Sequence, residues 1–209
     1  MRVAGVDGTK GGWVAIVLED GRFAGDFLLG SVDADFAELA DAEIVAIDIP
    51  IGFGPREADR AARTFLTGTA SVVFPAPPRE VLEAPFGPGL RVSAQAHALG
   101  PRIIHVTDLA RRDTRFRELH PEVSFRAMNG GRPLGHRKKS AAGALRRLEL
   151  LRAVGIELTA LRDAGSAPLD DVLDAAAAAW SAQRILTGAA KSLPDPPEEI
   201  DGYPVAIWY

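Results

Sequence analysis

The segment from Glu43 to Ile49, EIVAIDI, constrains the fold more than any other because it is apolar at almost every position. A strand with one face in water alternates apolar and polar residues, whereas an unbroken apolar run is typical of a strand buried on both faces. Such a strand needs other elements on both sides of its sheet, so the run predicts a layered α/β protein. With 209 residues, 47% of them hydrophobic, the chain can build this core, and we expect one domain over residues 1–209.

Three strand-like segments precede this run, namely Val3–Asp7, Trp13–Leu18 and Phe23–Leu29. Glycine-containing turns separate them, which favours an antiparallel meander. Asp33 or Asp35 is expected to cap a short helix that ends at Ala40. The buried run would then be the fourth strand of the sheet.

Beyond Pro50 the pattern is mostly helical. It predicts helices at Glu57–Leu66, Ser93–Leu99, Asp108–Arg115, Ala141–Val154 and Pro168–Leu186, a strand at Phe116–Phe125 bent at Pro121, a polar turn at Pro194–Glu199 and a closing strand at Tyr203–Tyr209. In the fourth of these helices, Leu145, Leu148 and Leu151 are expected to face inward, with the arginines on other faces. The Pro- and Gly-rich stretch from Gly68 to Gly89 is interpreted as a functional surface excursion.

Acidic residues fall near the ends of several predicted core elements. Asp48 interrupts the apolar run, and because an unpaired buried carboxylate is costly, a metal ion, an arginine or backbone donors should lie beside it. The other candidates are Asp7, Glu118, Glu122, Asp171 and Asp174. Asp171 and Asp174 are three residues apart and would share one helical face, while Asp170 is the expected helix cap. Carboxylates that converge in this way can hold two divalent cations, as phosphodiester cleavage requires.

Each of these acids also has a structural interpretation. Asp7 precedes a turn glycine at a strand end, and acids in the first turns of a helix are favoured by its dipole. On an extended strand Glu118, His120 and Glu122 would share one face, so the choice between the two glutamates stays open. Either glutamate could instead pair with a nearby arginine, and His120 is a possible acid or base.

The metal, if present, is expected to be Mg²⁺ or Mn²⁺. The chain has no cysteine, and its four histidines show no close-set ligand pattern, so a zinc site of the usual kind is not expected.

The net charge of −4 argues against a surface that is basic all over, yet residues 132–152 carry a local excess of positive charge. Candidate phosphate contacts are Arg60, Arg63, Arg79, Lys138 and Lys139. Without an apolar signal region or a membrane-length apolar run, we expect a cytoplasmic protein with no membrane association.

Several motifs resemble those of the family called domain of unknown function 429, whose members are described as predicted nucleases. They are GVDGTKGGW at 5–13, AIDIPIG at 46–52, ADRAAR at 58–63, VFPAPPR at 73–79, ELHPEVSF at 118–125 and the lysines at 138–139. The resemblance implies a ribonuclease H-like fold: a mixed five-stranded sheet flanked by helices, with an insertion at about 68–115 between the fourth and fifth core strands. It also implies that Asp7 and Asp48 are metal ligands and that the partner is DNA or RNA.

Two other functions stay open. A nucleic-acid-binding or regulatory module could keep the fold without the chemistry, which would apply if Asp7, Asp48 and Asp171 lie too far apart to share a cation. More distantly, the glycine-rich turn at residues 8–12 resembles the phosphate-holding hairpin of actin-like phosphotransferases, although the chain has no G-x-x-x-x-G-K-[ST] motif. Because junction resolvases of the same fold work as dimers, a homodimer is possible.

Overall fold

A computed structural model describes residues 1–209 and contains a central sheet of five strands in the order β3-β2-β1-β4-β5. The strands are β1 (Arg2–Thr9), β2 (Gly12–Glu19), β3 (Arg22–Leu29), β4 (Ile44–Ile47) and β5 (Phe116–Glu118). The first three form an antiparallel meander, and β4 and β5 run parallel to β1. This mixed sheet flanked by helices confirms the predicted α/β class and is consistent with a ribonuclease H-like fold.

Seven α-helices accompany the sheet: α1 (Glu57–Phe65), α2 (Arg79–Glu83), α3 (Ala94–Ala98), α4 (Gly100–Ala110), α5 (Pro121–Met128), α6 (Ala141–Ala153) and α7 (Leu169–Leu186). A hairpin of β6 (Ser192–Ile200) and β7 (Tyr203–Trp208) joins the central sheet through a bridge between Leu119 and Trp208. Helices α2, α3 and α4 lie between β4 and β5, where the insertion was predicted. None of the helices has the length and hydropathy that crossing a membrane requires.

The sheet separates two hydrophobic cores. Alternate residues of each strand enter opposite cores, so that Ala4 and Val6 of β1 pack with Ile103 and Val106 of α4, while Val3 packs on the side of α7. All of Val45, Ala46 and Ile47 in β4 are fully buried. The prediction that this strand is covered on both faces is therefore confirmed.

The predicted strand at Phe116–Phe125 is wrong beyond its first three residues. It ends at Glu118, and α5 begins at Pro121. His120 caps this helix, since its Nδ1 accepts a hydrogen bond from the Glu122 N–H at 3.2 Å. Proline is well suited to the first helical position, where its missing N–H leaves no bond unmade. Pro121 therefore starts a helix instead of bending a strand.

Three other element predictions need correction. The helix expected at Asp108–Arg115 instead spans Gly100–Ala110 and has Pro101 in its first turn. The helix expected to end at Ala40 is a single 3₁₀ turn. The segment Pro194–Glu199 belongs to β6, whose pairing is irregular between Leu193 and Glu198, and prolines are tolerated where the ladder is interrupted.

The buried face of α6 also differs from the prediction. Leu145 is 61% exposed, whereas Arg147 is buried beside Leu150 and Leu151. Arg147 donates a hydrogen bond to the Glu122 carboxylate in an ion pair, and its guanidinium lies 5.2 Å from the centre of the Phe125 ring. An arginine is therefore part of the packed face because α5 supplies partners for it.

Candidate metal centre

Two aspartates meet at the carboxyl ends of neighbouring parallel strands. Asp7 lies near the end of β1, and Asp48 directly follows β4. The two strands pair in parallel with Val6 opposite Ile47, and the N–H of Asp48 donates to the Val6 carbonyl at 2.9 Å. Parallel strands end at the same edge of a sheet, so the pairing brings these two acids together.

Helix α7 brings a third aspartate to this edge. The helix packs directly against β1 because Gly5 has no side chain: a Cβ there would lie 1.9 Å from the Ala179 nitrogen and 2.2 Å from the Ala175 oxygen. The run of alanines from Ala175 to Ala179 is equally small on the helix side. Asp174 precedes this run, so the close approach of the helix places its carboxylate beside those of the strands.

The three carboxylates form a compact group, here called the aspartate trio: Asp7, Asp48 and Asp174. One oxygen from each lies within 4.8 Å of the others, a spacing at which all three could hold one metal ion. Asp7 Oδ1 accepts a hydrogen bond from the Gly8 N–H at 2.7 Å. Asp174 is 1% exposed, yet its Oδ1 has no hydrogen-bond partner. A buried carboxylate oxygen without a partner is costly, and a cation would satisfy it.

Burial and mutual repulsion change the ionisation of the trio. Burial raises the pKa of Asp7 well above its usual value, and the charge of Asp48 adds to this shift. Burial raises the pKa of Asp48 to about 7 and that of Asp174 to about 7, although the charge of Lys138 opposes both shifts. Without a metal ion, the protein therefore disfavours having all three carboxylates charged. A bound divalent cation would stabilise their charged forms.

Lys138 is the nearest side-chain cation. Its Nζ lies 2.6 Å from Asp174 Oδ2. Burial alone would lower the pKa of Lys138, but the charges of Asp174, Asp7 and Asp48 raise it. Its neighbour Lys139 is 80% exposed and lies 3.7 Å from Asp170.

The structure does not bring Glu118 to the trio. Glu118 pairs in register with Ile47, so it faces the side of the sheet opposite α7. There both of its oxygens accept hydrogen bonds from Arg56, at 2.5 and 2.9 Å, and Oε2 also accepts from the Ile51 N–H at 2.7 Å. Arg56 and Asp59 are buried with it. This network gives Glu118 a structural role.

The remaining predicted acids lie at the edge of the trio. Glu122, on α5, is ion-paired with Arg147, and its charge raises the pKa of Asp48 and Asp174. Asp171 is half-buried one helical turn before Asp174, and its charge acts on Asp7 and Asp48. The prediction that Asp170 caps α7 is wrong. The N-cap residue is Pro168, and the helix has no hydrogen bond from a capping side chain.

His120 lies in the same cleft as the trio. Its Nδ1 caps α5, which places the ring proton on Nε2, and Nε2 lies 3.4 Å from the Val72 carbonyl oxygen. Burial lowers the pKa of His120, so the imidazole is neutral at physiological pH.

The trio lies in a cleft of about 850 Å³. Residues of the insertion, including Val72, Phe74 and Leu99, form one of its walls. Of the predicted phosphate contacts only Lys138 lines the cleft. Arg60 pairs with Glu57, Arg63 donates to the Val73 carbonyl, Arg79 pairs with Asp108 and Glu83, and Lys139 points away.

Five arginines line the cleft that were not predicted as phosphate contacts: Arg56, Arg102, Arg126, Arg137 and Arg147. Arg102 donates to the Thr9 and Gly12 carbonyls at 2.7 and 3.1 Å, and its buried Nε has no partner. The excess of positive charge at 132–152 was a signal for Arg137 and Arg147. No local pattern marks Arg102, because its position follows from the packing of the insertion against the β1–β2 turn.

Comparison with protein families yields one match, to the family described as "Protein of unknown function (DUF429)", over residues 5–199. Neither the curated proteins nor the solved structures contain a significant match. The match spans most of the chain and includes every member of the trio.

Proposed function

This chain belongs to the DUF429 family of proteins of unknown function, and from its site we propose that it is a divalent-metal-dependent nuclease. The observation that carries the proposal is the aspartate trio, assembled from β1, the end of β4 and α7 around a buried Asp174 oxygen without a partner. Acids on two parallel strand ends and on a helix packed over them are the arrangement that the ribonuclease H-like resemblance implies. The trio differs from the predicted ligand set by leaving out Glu118 and Asp171.

The donor set supports Mg²⁺ or Mn²⁺ as the cofactor. All three ligands are carboxylates, no cysteine exists in the chain, and no histidine belongs to the group. Hard divalent cations prefer such oxygen ligands. Asp7, Asp48 and Asp174 would hold the ion, and the chemistry that it supplies there is charge neutralisation at a phosphodiester and activation of water.

The cleft around the trio suits a nucleic-acid backbone. Arg102, Arg126, Arg137 and Lys138 line it beside the acids, so that positive charge is available near the trio although the protein carries a net charge of −4. Guanidinium groups bind phosphate oxygens through paired donors. The neutral His120 offers one ring N–H, which lies 3.4 Å from the Val72 carbonyl oxygen and could orient the attacking water.

A cytoplasmic location and a homodimer are further parts of the proposal.

The alternative, a binding module without chemistry, is less favoured by the geometry. A module that only binds phosphates gains nothing from three acids placed where the phosphates approach. From the sequence, the binding module was favoured if Asp7, Asp48 and Asp171 lay too far apart to share a cation. Asp7 and Asp48 lie within reach of a common ion, with Asp174 in place of Asp171.

The proposal is tested by a cleavage screen. Labelled single-stranded, duplex and branched DNA and RNA are incubated with the purified protein in Mg²⁺, in Mn²⁺ and in a chelator. We expect cleavage of at least one substrate in metal and none in the chelator. Metal binding without cleavage of any substrate would favour the binding module.

We expect Glu118→Gln to weaken the fold and leave the metal centre intact. Asp59 still pairs with Arg56 in this variant, but the neutral amide loses the charge-assisted hydrogen bonds that the Glu118 carboxylate accepts from Arg56 and Ile51, which costs about 2 kcal/mol of unfolding free energy. Chemical denaturation and Mn²⁺ calorimetry would measure both quantities. A large loss of Mn²⁺ affinity with unchanged stability would instead make Glu118 a ligand.

We also expect Mn²⁺ binding to weaken as the pH falls through 7. Asp48 and Asp174 have pKa values of about 7 in the metal-free protein, so below that pH the ion must displace protons from its ligands. Between pH 8 and pH 6 the affinity should fall by at least about tenfold, and calorimetry in buffers of different ionisation enthalpy should show proton release at pH 6. An affinity that is flat over this range would contradict the assignment of these ligands.

A further inference from the structure

Asp174 is shared between the trio and a lysine. Lys138 Nζ contacts Oδ2 at 2.6 Å, while Oδ1 of the same carboxylate is buried and has no partner. Lys138 lies on the loop between α5 and α6 and lines the cleft, with 39% of its side chain exposed. One oxygen of Asp174 is thus occupied by a side-chain cation and the other is free for a metal ion.

We propose that the centre binds one divalent cation and keeps Lys138 as its second positive charge, so that the lysine takes the place of the second metal ion expected from the sequence. The inference rests on the metal centre of the proposed function and holds for any phosphodiester substrate. It deepens that proposal by assigning a role to a residue outside the trio.

The first argument is that the carboxylates needed for a second metal ion are already paired. Glu118 is held by Arg56 on the opposite face of the sheet. Glu122 is held by Arg147, which is itself buried. Removing Glu122 would leave the buried Arg147 without its acidic partner, and removing Glu118 would break the buried hydrogen bonds that it accepts from Arg56, so both changes are costly. Only the carboxylates of the trio, with the half-buried Asp171 beside them, remain available to bind metal ions.

The second argument is the balance of charge. Four carboxylates, those of the trio and Glu122, lie with the two cations that pair with them, Lys138 and Arg147; Arg102 and Arg126 in the same cleft donate to backbone carbonyls instead. The two uncompensated negative charges correspond to one divalent cation. Asp171 adds to this count from a position in partial contact with solvent, where its charge is screened.

A lysine in this position has a further use. Its ammonium group has three donors, and the contact with Asp174 uses one of them. The other two are available on the cleft side to an oxygen of the substrate phosphate. Lys138 would thereby neutralise charge on the substrate where a second metal ion would otherwise do so.

Mn²⁺ calorimetry at pH 8 on four forms of the full chain tests the proposal. We expect one ion per chain in the wild type and in Lys138→Arg, which keeps the charge. In Lys138→Met, Oδ2 of Asp174 is released to hold a second ion together with the half-buried Asp171 and water, and the stoichiometry should rise to two. Lys139→Met is the matched control, since this neighbour is 80% exposed and lies 3.7 Å from Asp170, and it should stay at one.

Several outcomes would overturn the inference. Two ions in the wild type would show that Lys138 does not take the place of a metal, and this result does not depend on whether Lys138→Met folds. One ion in Lys138→Met, or none in any form, would equally reject it. Because the measurement needs no substrate, the expected stoichiometries could be obtained from a protein that cleaves nothing, and the nuclease proposal would then fail alone.

Discussion

Replacing Gly5 by alanine is expected to destabilise the protein by about 4 kcal/mol or more, an effect large for a single methyl group. The added Cβ would lie 1.9 Å from the backbone nitrogen of Ala179 and 2.2 Å from the backbone oxygen of Ala175. Backbone atoms of a packed helix cannot turn away as a flexible side chain can, so α7 would have to move off the sheet. Because Asp174 lies at the start of this contact, Mn²⁺ binding should be lost as well.

Urea denaturation of Gly5→Ala and Gly25→Ala side by side would measure the effect. Gly25 is also in a strand of the same sheet, but a Cβ there meets nothing within 4 Å. Its replacement should change the unfolding free energy by no more than about 0.5 kcal/mol. If the two variants were equally stable, close contact between α7 and β1 would not be what positions Asp174.

The part of the site that could be predicted from the sequence is the part that depends on strand order. Asp48 stood out because it interrupts an apolar run, the resemblance implied that it is a ligand together with Asp7, and the observed strand order places β4 beside β1. Parallel strands place their carboxyl ends together, so the meeting of Asp7 and Asp48 follows from topology alone. The spacing of Asp171 and Asp174 predicted that both would face the metal site, but only Asp174 belongs to the trio, and Asp171 is half-buried beside it.

The remaining errors come from contacts between distant segments. Glu118 and Glu122 were placed on one strand face, but the strand ends before Pro121 and leaves them on opposite sides of the sheet. Their partners, Arg56 and Arg147, are 62 and 25 residues away in the chain. Whether an acid binds a metal or an arginine depends on such partners, and no local pattern reports them.

Substituting Asp48→Asn is expected to reduce metal-dependent cleavage by at least about 10³-fold. The loss of one charged ligand removes several kcal/mol of charge stabilisation at the reacting phosphodiester, and each 1.4 kcal/mol corresponds to a factor of ten in rate. The rate would be measured in Mn²⁺ on the substrate found by the screen. Asp171→Asn is the matched control because Asp171 lies outside the trio, and its rate should stay within about tenfold of the wild type.

The same substitution should stabilise the metal-free protein, which separates a metal ligand from a structural acid. Folding raises the pKa of Asp48 to about 7, so its contribution to stability is full below its usual pKa near 4 and is lost as the pH rises through 7. Asparagine carries no such penalty, and at pH 8 the variant should be roughly 2 to 4 kcal/mol more stable than the wild type. Mn²⁺ at a hundred times its dissociation constant should then add about 2.7 kcal/mol to the wild type alone. A variant that is less stable than the metal-free wild type at pH 8 would mean that loop amides stabilise the Asp48 carboxylate. The assignment of the trio as a metal centre would then be rejected.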